Sequence, residues 1–122
     1  MLARARLFAS TFAQRADREL AALQAGLESV LDACDSAAGT VDVDLKDGVL
    51  TVVLPGGRSY VLNKQTPNEQ LWWSSPLSGP RRYAWDETRG TWRCLRHDTE
   101  LRADLTSELK QLLPDAPVAS FV

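Results

Sequence analysis

The chain has 122 residues, which is about the length of one domain. Hydrophobic residues make up 44% of it and charged residues 25%, so the composition is that of a globular protein and excludes wholesale disorder. The net charge of −2 argues against a nucleic-acid module held by phosphate contacts, and no apolar run approaches the roughly 18 residues of a membrane span.

The beginning of the chain is basic. Arg4, Arg6 and Arg15 occur among apolar residues, and no acidic residue is found in the first sixteen positions. This composition is typical of organellar transit peptides. It is equally compatible with a helix whose first residues happen to be basic. We therefore interpret residues 1–15 as either a transit-peptide remnant or a flexible basic N-terminus, and residues 12–122 as a single domain.

A long helix follows. Apolar residues recur mostly at spacings of three and four from Phe12 to Cys34, which predicts an amphipathic helix over about residues 10–34. Gly26 lowers the helix propensity without interrupting the pattern. We expect the helix to end near residues 35–39, where small and polar residues replace the periodic apolar ones.

The hydrophobic period then changes to two, which predicts a series of short antiparallel strands. Asp47-Gly48 is a strong signal for a two-residue hairpin, and the composition of residues 75–80 predicts a loop. The predicted strands span residues 41–45, 49–54, 58–63, 69–74, 82–85 and 91–95.

A second helix is predicted near the end of the chain. Leucines spaced by four and three over residues 101–112 share one helix face, Asp98 or Thr99 is the expected N-cap, and Pro114 is expected to end the helix. We expect the last eight residues to lie as a strap on the core.

The order of elements predicts an α+β fold. The N- and C-terminal helices would pack on one face of an antiparallel sheet of five to six strands, as a two-layer sandwich. The other face of the sheet would then be open to solvent and available to partners.

The sequence lacks the common catalytic motifs, because it has no Gly-rich phosphate loop, GxSxG elbow or HExxH. His97 is beside Asp98 and is a candidate base, although a capping or surface role is commoner for such a residue. Cys34 and Cys94 are too few for a structural zinc site, and we expect two free thiols in a reducing compartment rather than a disulfide.

Acidic residues follow one side of the first helix. At about 100° per residue, Asp17, Glu28 and Asp35 fall within about 20° of one line, and Asp32 lies about 60° from it. Three further acids, on the solvent side of the first strand and in its turn, are Asp42, Asp44 and Asp47. Hard cations prefer oxygen ligands, so these residues are candidates for an anionic metal-binding ridge; a solvated helix face is the alternative.

Two adjacent tryptophans are the other distinctive feature. Trp72 and Trp73 point to opposite faces if they lie on a strand. Gln70 and Ser74 share the face of Trp72, so we expect Trp72 on the open face and Trp73 in the core. An exposed Trp among amides and an Arg is typical of an interaction hot spot, and a structural aromatic on a small sheet is the alternative.

Several motifs resemble the frataxin family. They are Asn63-Lys64-Gln65-Thr66-Pro67-Asn68, Gln70, Trp72, Ser74-Ser75-Pro76, Ser78-Gly79-Pro80-Arg81-Arg82-Tyr83, Trp85 and Trp92, with Gly48-Val49-Leu50-Thr51-Val52 before them. The order of elements matches from about residue 12 to residue 121. The Ser-Ser-Pro and Ser-Gly-Pro pieces resemble the mitochondrial branch, which favours the transit-remnant interpretation of residues 1–15 and implies one frataxin-like domain over residues 12–122.

The resemblance implies a protein of the mitochondrial matrix that acts in iron–sulfur cluster assembly. Members of the family bind the complex of cysteine desulfurase and scaffold protein, promote sulfur transfer and bind ferrous iron weakly at the surface. At the positions that match the family's motifs, the resemblance implies partner contact by the residues Asn63, Gln65, Leu71, Trp72 and Arg82. Iron contact falls on Asp17, Glu28, Asp32 and Asp42, and Asp44 is added on physical grounds. We expect a monomer when free, without nucleic acid and without membrane insertion.

The sequence also departs from the family pattern. Positions that are usually acidic in the first helix are here Arg18, Ala21, Ala25 and Ser29, so the ridge is thinned and strong iron loading is not expected. The leading interpretation is a non-catalytic activator of the desulfurase–scaffold complex. The alternative is a ferroxidase or iron chaperone that oxidises, stores or delivers ferrous iron. A ferroxidase centre needs convergent, preorganised carboxylates, and exposed acids with one distant histidine favour the activator.

Overall fold

A computed structural model describes residues 10–34 and 41–118 of the chain. Within these residues two α-helices flank six strands, and the strands form one antiparallel sheet in the order β1-β2-β3-β4-β5-β6. The elements are α1 (Phe12–Asp32), β1 (Asp42–Lys46), β2 (Val49–Val53), β3 (Ser59–Gln65), β4 (Gln70–Ser75), β5 (Gly79–Asp86), β6 (Thr91–Cys94) and α2 (Leu101–Leu112). The predicted α+β sandwich, with both helices on one face of the sheet, is confirmed.

Helix α1 begins two residues later than predicted because a capping box defines its start. The hydroxyl of Thr11 accepts a hydrogen bond from the backbone N of Gln14 (3.1 Å), and the Gln14 amide oxygen accepts one from the backbone N of Thr11 (3.0 Å). The periodic residues are buried as predicted: Phe12, Ala16, Leu20, Leu23, Leu27, Val30 and Leu31. The helix ends at Asp32 with Ala33 as its C-cap, earlier than the predicted end near residues 35–39, which lie outside the described residues.

Buried and partly exposed residues alternate along the strands, so the sheet has one buried face and one open face. Leu50, Val52, Tyr60 and Leu62 of β2 and β3 point to the helices and are at most 1% exposed. The residues between them point the other way and are partly exposed. The sheet therefore presents a whole second face that the helices do not cover.

The loop between β4 and β5 is shorter than predicted for residues 75–80. Ser75 pairs with Gly79 across the hairpin, so only three residues turn and β5 starts earlier than the pattern indicated. The Ser75 hydroxyl accepts hydrogen bonds from the backbone N of Leu77 (3.0 Å) and of Ser78 (3.1 Å). The Ser75 hydroxyl thus satisfies two backbone N–H groups of the turn, which therefore do not depend on solvent for a partner.

The start of α2 also differs from the prediction, because its N-cap is Glu100 rather than Asp98 or Thr99. Asp98 adopts a left-handed backbone conformation (φ 51°), and its carboxylate is engaged by Arg89. The hydroxyl of Thr99 donates to the Asp104 carboxylate at 2.7 Å. Both predicted capping groups are therefore occupied elsewhere. The helix ends at Leu112, ahead of Pro114 as expected.

One buried and one partly buried carboxylate connect α2 to the sheet. The Tyr60 hydroxyl donates to Glu108 at 2.7 Å and the Ser75 hydroxyl donates to the same oxygen. The Tyr83 hydroxyl donates to Asp104 at 2.7 Å. Burial, and then the neighbouring carboxylate, raises the pKa of both tyrosines, so their neutral forms are favoured in the folded protein.

Three remaining expectations concern thiols, membranes and the C-terminal strap. Cys34 and Cys94 are free thiols, as predicted. Neither described helix has the length and hydropathy needed to cross a bilayer. Val118 is buried against the core, whereas the end of the strap beyond it and the basic residues 1–9 lie outside the described residues.

Candidate functional site

The strand register aligns three polar or aromatic side chains in one row on the open face. Asn63 of β3 is paired with Trp72 of β4, and Trp72 is paired with Arg82 of β5. Paired residues share a face, and all three lie opposite the helices because their sequence neighbours are in the core. We call Asn63, Trp72 and Arg82 the open-face row.

Trp72 is the centre of this row. Its indole ring is half-buried, and the guanidinium of Arg82 lies 4.5 Å from the ring centroid. The indole N–H donates to the side-chain oxygen of Gln70 at 2.8 Å, which fixes the ring against the sheet. Trp73 is only 2% exposed and contacts the rings of Tyr60 and Tyr83. The predicted assignment of the two tryptophans to opposite faces is therefore confirmed.

A second polar row extends the first toward one end of the sheet. The Asn63 side-chain N donates to the side-chain oxygen of Gln65 at 3.0 Å, and Gln65 is paired with Gln70. Within the described residues, the Asn63 side chain makes no hydrogen bond to the turn before Pro67 that would assign it to fixing that turn. The two amides instead form a patch of donors and acceptors beside Trp72.

Leu71 does not belong to this surface. The resemblance placed partner contact on it, but its side chain is 0% exposed and packs in the core with Tyr83 across the β4–β5 pair. The physical reason is the alternation of the strand, which sends Leu71 to the same side as Trp73. Direct contact of the Leu71 side chain with a partner is therefore corrected to a structural role.

Arg82 is an exposed cation whose only described partner is the ring beneath it. No acidic side chain in residues 10–34 and 41–118 forms a salt bridge with it. Asp98, an acid that follows the edge strand β6, is already engaged, and hydrogen bonds from Arg89 and then Arg93 lower its pKa. The Arg82 guanidinium therefore keeps its hydrogen-bonding capacity for a group outside this part of the chain.

The predicted metal ligands are exposed, but the structure does not bring them together. Asp17, Glu28 and Asp32 lie on the outer side of α1, and Asp17 and Asp32 are about 22 Å apart along the helix at 1.5 Å per residue. Asp42 and Asp44 point to the open face of β1, because Val43 and Leu45 between them pack on the core. No group of three or more His, Cys, Asp or Glu in the described ranges is placed to hold a metal ion.

One of these acids already has a partner. The Asp17 carboxylate forms a salt bridge of 2.8 Å with the ammonium of Lys64, at the end of β3. Asp35, the third member of the predicted line on α1, lies outside the described residues. The carboxylates fit separate, water-completed contacts with a cation better than a built metal site.

Comparison with known proteins decides the family. A family model for the frataxin-like domain matches residues 5–115, which is most of the chain. The chain belongs to the frataxin-like family. The predicted resemblance is thereby confirmed.

Relatives of this frataxin-like chain include proteins named mitochondrial frataxin. The one from Dictyostelium discoideum is 49% identical over 58% of this chain and 37% of its own length. The one from Caenorhabditis elegans is 38% identical over 90% of this chain and 85% of its own length. The match therefore spans well under half of the Dictyostelium protein but most of the nematode one.

A solved structure gives the same fold. The crystal structure of trimeric frataxin from the yeast Saccharomyces cerevisiae, complexed with ferrous iron, superimposes with a TM-score of 0.71 at 39% identity. The alignment covers 87% of this chain and 88% of the yeast chain. The frataxin fold is thus established over nearly all of both molecules.

Sequence reasoning missed two interactions of this frataxin-like domain. The Lys64–Asp17 salt bridge joins residues 47 positions apart, and the Glu108 network joins α2 to β3 and β4. The sequence did indicate one half of the salt bridge, because Lys64 follows Tyr60 and Leu62 at a spacing of two and therefore lies on the helix face of β3. No local pattern distinguishes Glu108 from the solvated acids of an amphipathic helix.

Proposed function

We propose that this chain is an iron-binding accessory protein of mitochondrial iron–sulfur cluster assembly, and that it activates a cysteine desulfurase–scaffold complex by docking its open sheet face. The observation that carries the proposal is the open-face row, Asn63, Trp72 and Arg82, which lies across three strands opposite the helices. Membership of the frataxin-like family supports the assignment of the partner.

The chemistry of the row suits a protein partner. Trp and Arg are enriched among interface hot spots, because they combine a large contact area with directional hydrogen bonds. Here Trp72 is held by Gln70 and covered by Arg82, so little side-chain freedom remains to be lost on binding. Arg82 offers unused donors to a carboxylate or carbonyl of the partner, and Asn63 offers an amide.

Iron binding is proposed to be weak and confined to the surface. The yeast structure in complex with ferrous iron supports an iron-related function for the family. The carboxylates of α1 and β1 in this chain are exposed and separate, so water would complete the coordination of any bound ion. A ferroxidase or storage function needs carboxylates that converge on one centre, which favours the activator over that alternative.

The proposed location is the mitochondrial matrix. The relatives from Dictyostelium discoideum, Arabidopsis thaliana and Caenorhabditis elegans are all named as mitochondrial proteins. Two free thiols in the described part of the chain suit a reducing compartment.

Sulfide production by a reconstituted desulfurase–scaffold complex tests the proposal. We expect a higher rate with this protein than without it at matched iron, and loss of the increase with Arg82→Ala. Ser59→Ala is the matched control, since Ser59 lies on the open face at the far end of β3 and should stimulate like wild type. No stimulation by wild type, combined with oxygen consumption when the protein alone meets ferrous iron, would favour the ferroxidase instead.

A further inference from the structure

Lys64 lies where a turn, a strand and a helix meet. Its ammonium is 2.8 Å from the Asp17 carboxylate of α1, and its side chain is 24% exposed compared with 59% for Asp17. Its backbone N donates to the carbonyl of Gly48, in the β1–β2 turn, at 2.8 Å. The residue therefore connects the end of β3 both to the turn and to the helix.

Gly48 leaves the space through which the Lys64 side chain passes. The glycine has φ +76°, and a Cβ built on it would lie 3.3 Å from Lys64 Cε. Contact that close is tighter than most real Cβ contacts, so a side chain at this position would push Lys64 aside. The Lys64 side chain therefore runs close past Gly48 on its way to Asp17.

The end of β3 extends beyond its neighbour β2. Asn63 is the last β3 residue paired with β2, opposite Val49, while Gln65 is paired with Gln70 of β4. Lys64 stands between the two amides and points to the helices, so Asn63 and Gln65 point to the open face. Holding Lys64 from the helix side therefore limits the movement of the amides on the other side.

We propose that Asp17 is a positioning residue for the partner surface and does not serve as an iron ligand. It anchors Lys64 and thereby holds the end of β3, where Asn63 and Gln65 face the open side of the sheet. The Lys64 ammonium, 2.8 Å from Asp17 Oδ1, neutralises this carboxylate and opposes the binding of a cation there, whereas neither Glu28 nor Asp32 forms an ion pair in the described ranges. The consequence for partner binding rests on the proposed function, whereas the anchor itself is a property of the free protein.

The test compares Asp17→Asn with Glu28→Gln in the free protein by NMR. Glu28 is on the same line of α1 and has no ion-pair partner among the described residues, so it is the matched control. We expect Asp17→Asn to shift the side-chain amide signals of Asn63 and Gln65 and to speed hydrogen exchange at the Lys64 amide about two- to fivefold, as loss of a partly exposed ion pair would. Glu28→Gln should leave these signals unchanged. The conservative Asp17→Glu keeps a carboxylate for Lys64, so its signals should resemble those of wild type rather than those of Asp17→Asn.

Two further measurements separate the anchor from a metal site and from the proposed function. Anaerobic calorimetric titration with ferrous iron should give Asp17→Asn the affinity of wild type within about twofold. With a desulfurase–scaffold complex that wild type stimulates, Asp17→Asn should stimulate less. Unshifted Asn63 and Gln65 amides, or a fivefold or larger loss of ferrous-iron affinity in Asp17→Asn, would overturn the proposal whether or not the complex responds to wild type.

Discussion

Replacing Trp72 with alanine separates the interface role of the open-face row from a structural one. Within the free protein, the substitution removes the stacking of Arg82, 4.5 Å from the ring centroid, and the 2.8 Å hydrogen bond to Gln70. An exposed cation–π pair contributes about 0.5–1 kcal/mol and a hydrogen bond about 0.5–1.5 kcal/mol. We therefore expect the free energy of unfolding to fall by about 1–2.5 kcal/mol, and the Tm to fall by about 4–10 °C.

Trp73→Ala is the matched control, one residue away. Trp73 is 2% exposed, and its ring centroid is 5.4 Å from that of Tyr60 and 5.5 Å from that of Tyr83. Removing it leaves a cavity in the core, which costs about 3–5 kcal/mol. The Tm should fall by about 12–20 °C, a larger fall than that expected for Trp72→Ala.

The assay combines thermal melting by circular dichroism with calorimetric binding to the desulfurase–scaffold complex below both melting temperatures. An interface Trp contributes about 2 kcal/mol or more, so Trp72→Ala should bind at least about thirtyfold more weakly than wild type. The reasoning is refuted if Trp72→Ala lowers the Tm as far as Trp73→Ala does. Unchanged affinity of a folded Trp72→Ala protein would equally show that the row does not contact the partner.

Three further outcomes are expected. Asn63→Ala should keep the Tm within about 4 °C of wild type but lose desulfurase stimulation, whereas a large loss of stability would assign Asn63 to the fold. Asp32→Asn combined with Asp42→Asn should weaken a salt-sensitive, micromolar-or-worse binding of ferrous iron in anaerobic calorimetry, and a single tight site surviving both changes would contradict this. Because the pKa values of Tyr60 and Tyr83 are raised by folding, the native state retains protons that the unfolded state releases above pH ~10, so stability is full below that pH and falls as the pH rises. Urea unfolding between about pH 8 and 11.5 should show this loss, and Tyr60→Phe should reduce its slope; a slope unaffected by Tyr60→Phe would exclude that tyrosine as a source.

Much of the candidate surface could be predicted from local pattern. Alternation correctly separates Trp72 from Trp73, because a strand residue and its neighbour point to opposite faces whatever the rest of the fold does. Applied to Leu71, the same rule puts its side chain on the core side with Trp73, which is where the structure has it. The family resemblance alone assigned Leu71 to the surface, and the structure corrects that assignment in favour of the local rule.

The sequence by itself determined the order of elements, the α+β class and the face of the sheet on which each strand residue lies, because backbone periodicity is a local property. Only the tertiary structure decided that Asn63, Trp72 and Arg82 are neighbours, since strand register depends on turns whose exact length composition does not reveal. It also decided that Asp17 is paired with Lys64 and that no three acids of the described residues converge on a metal position. Such interactions join positions distant in the sequence, and they follow from how the helix packs on the sheet rather than from either segment alone.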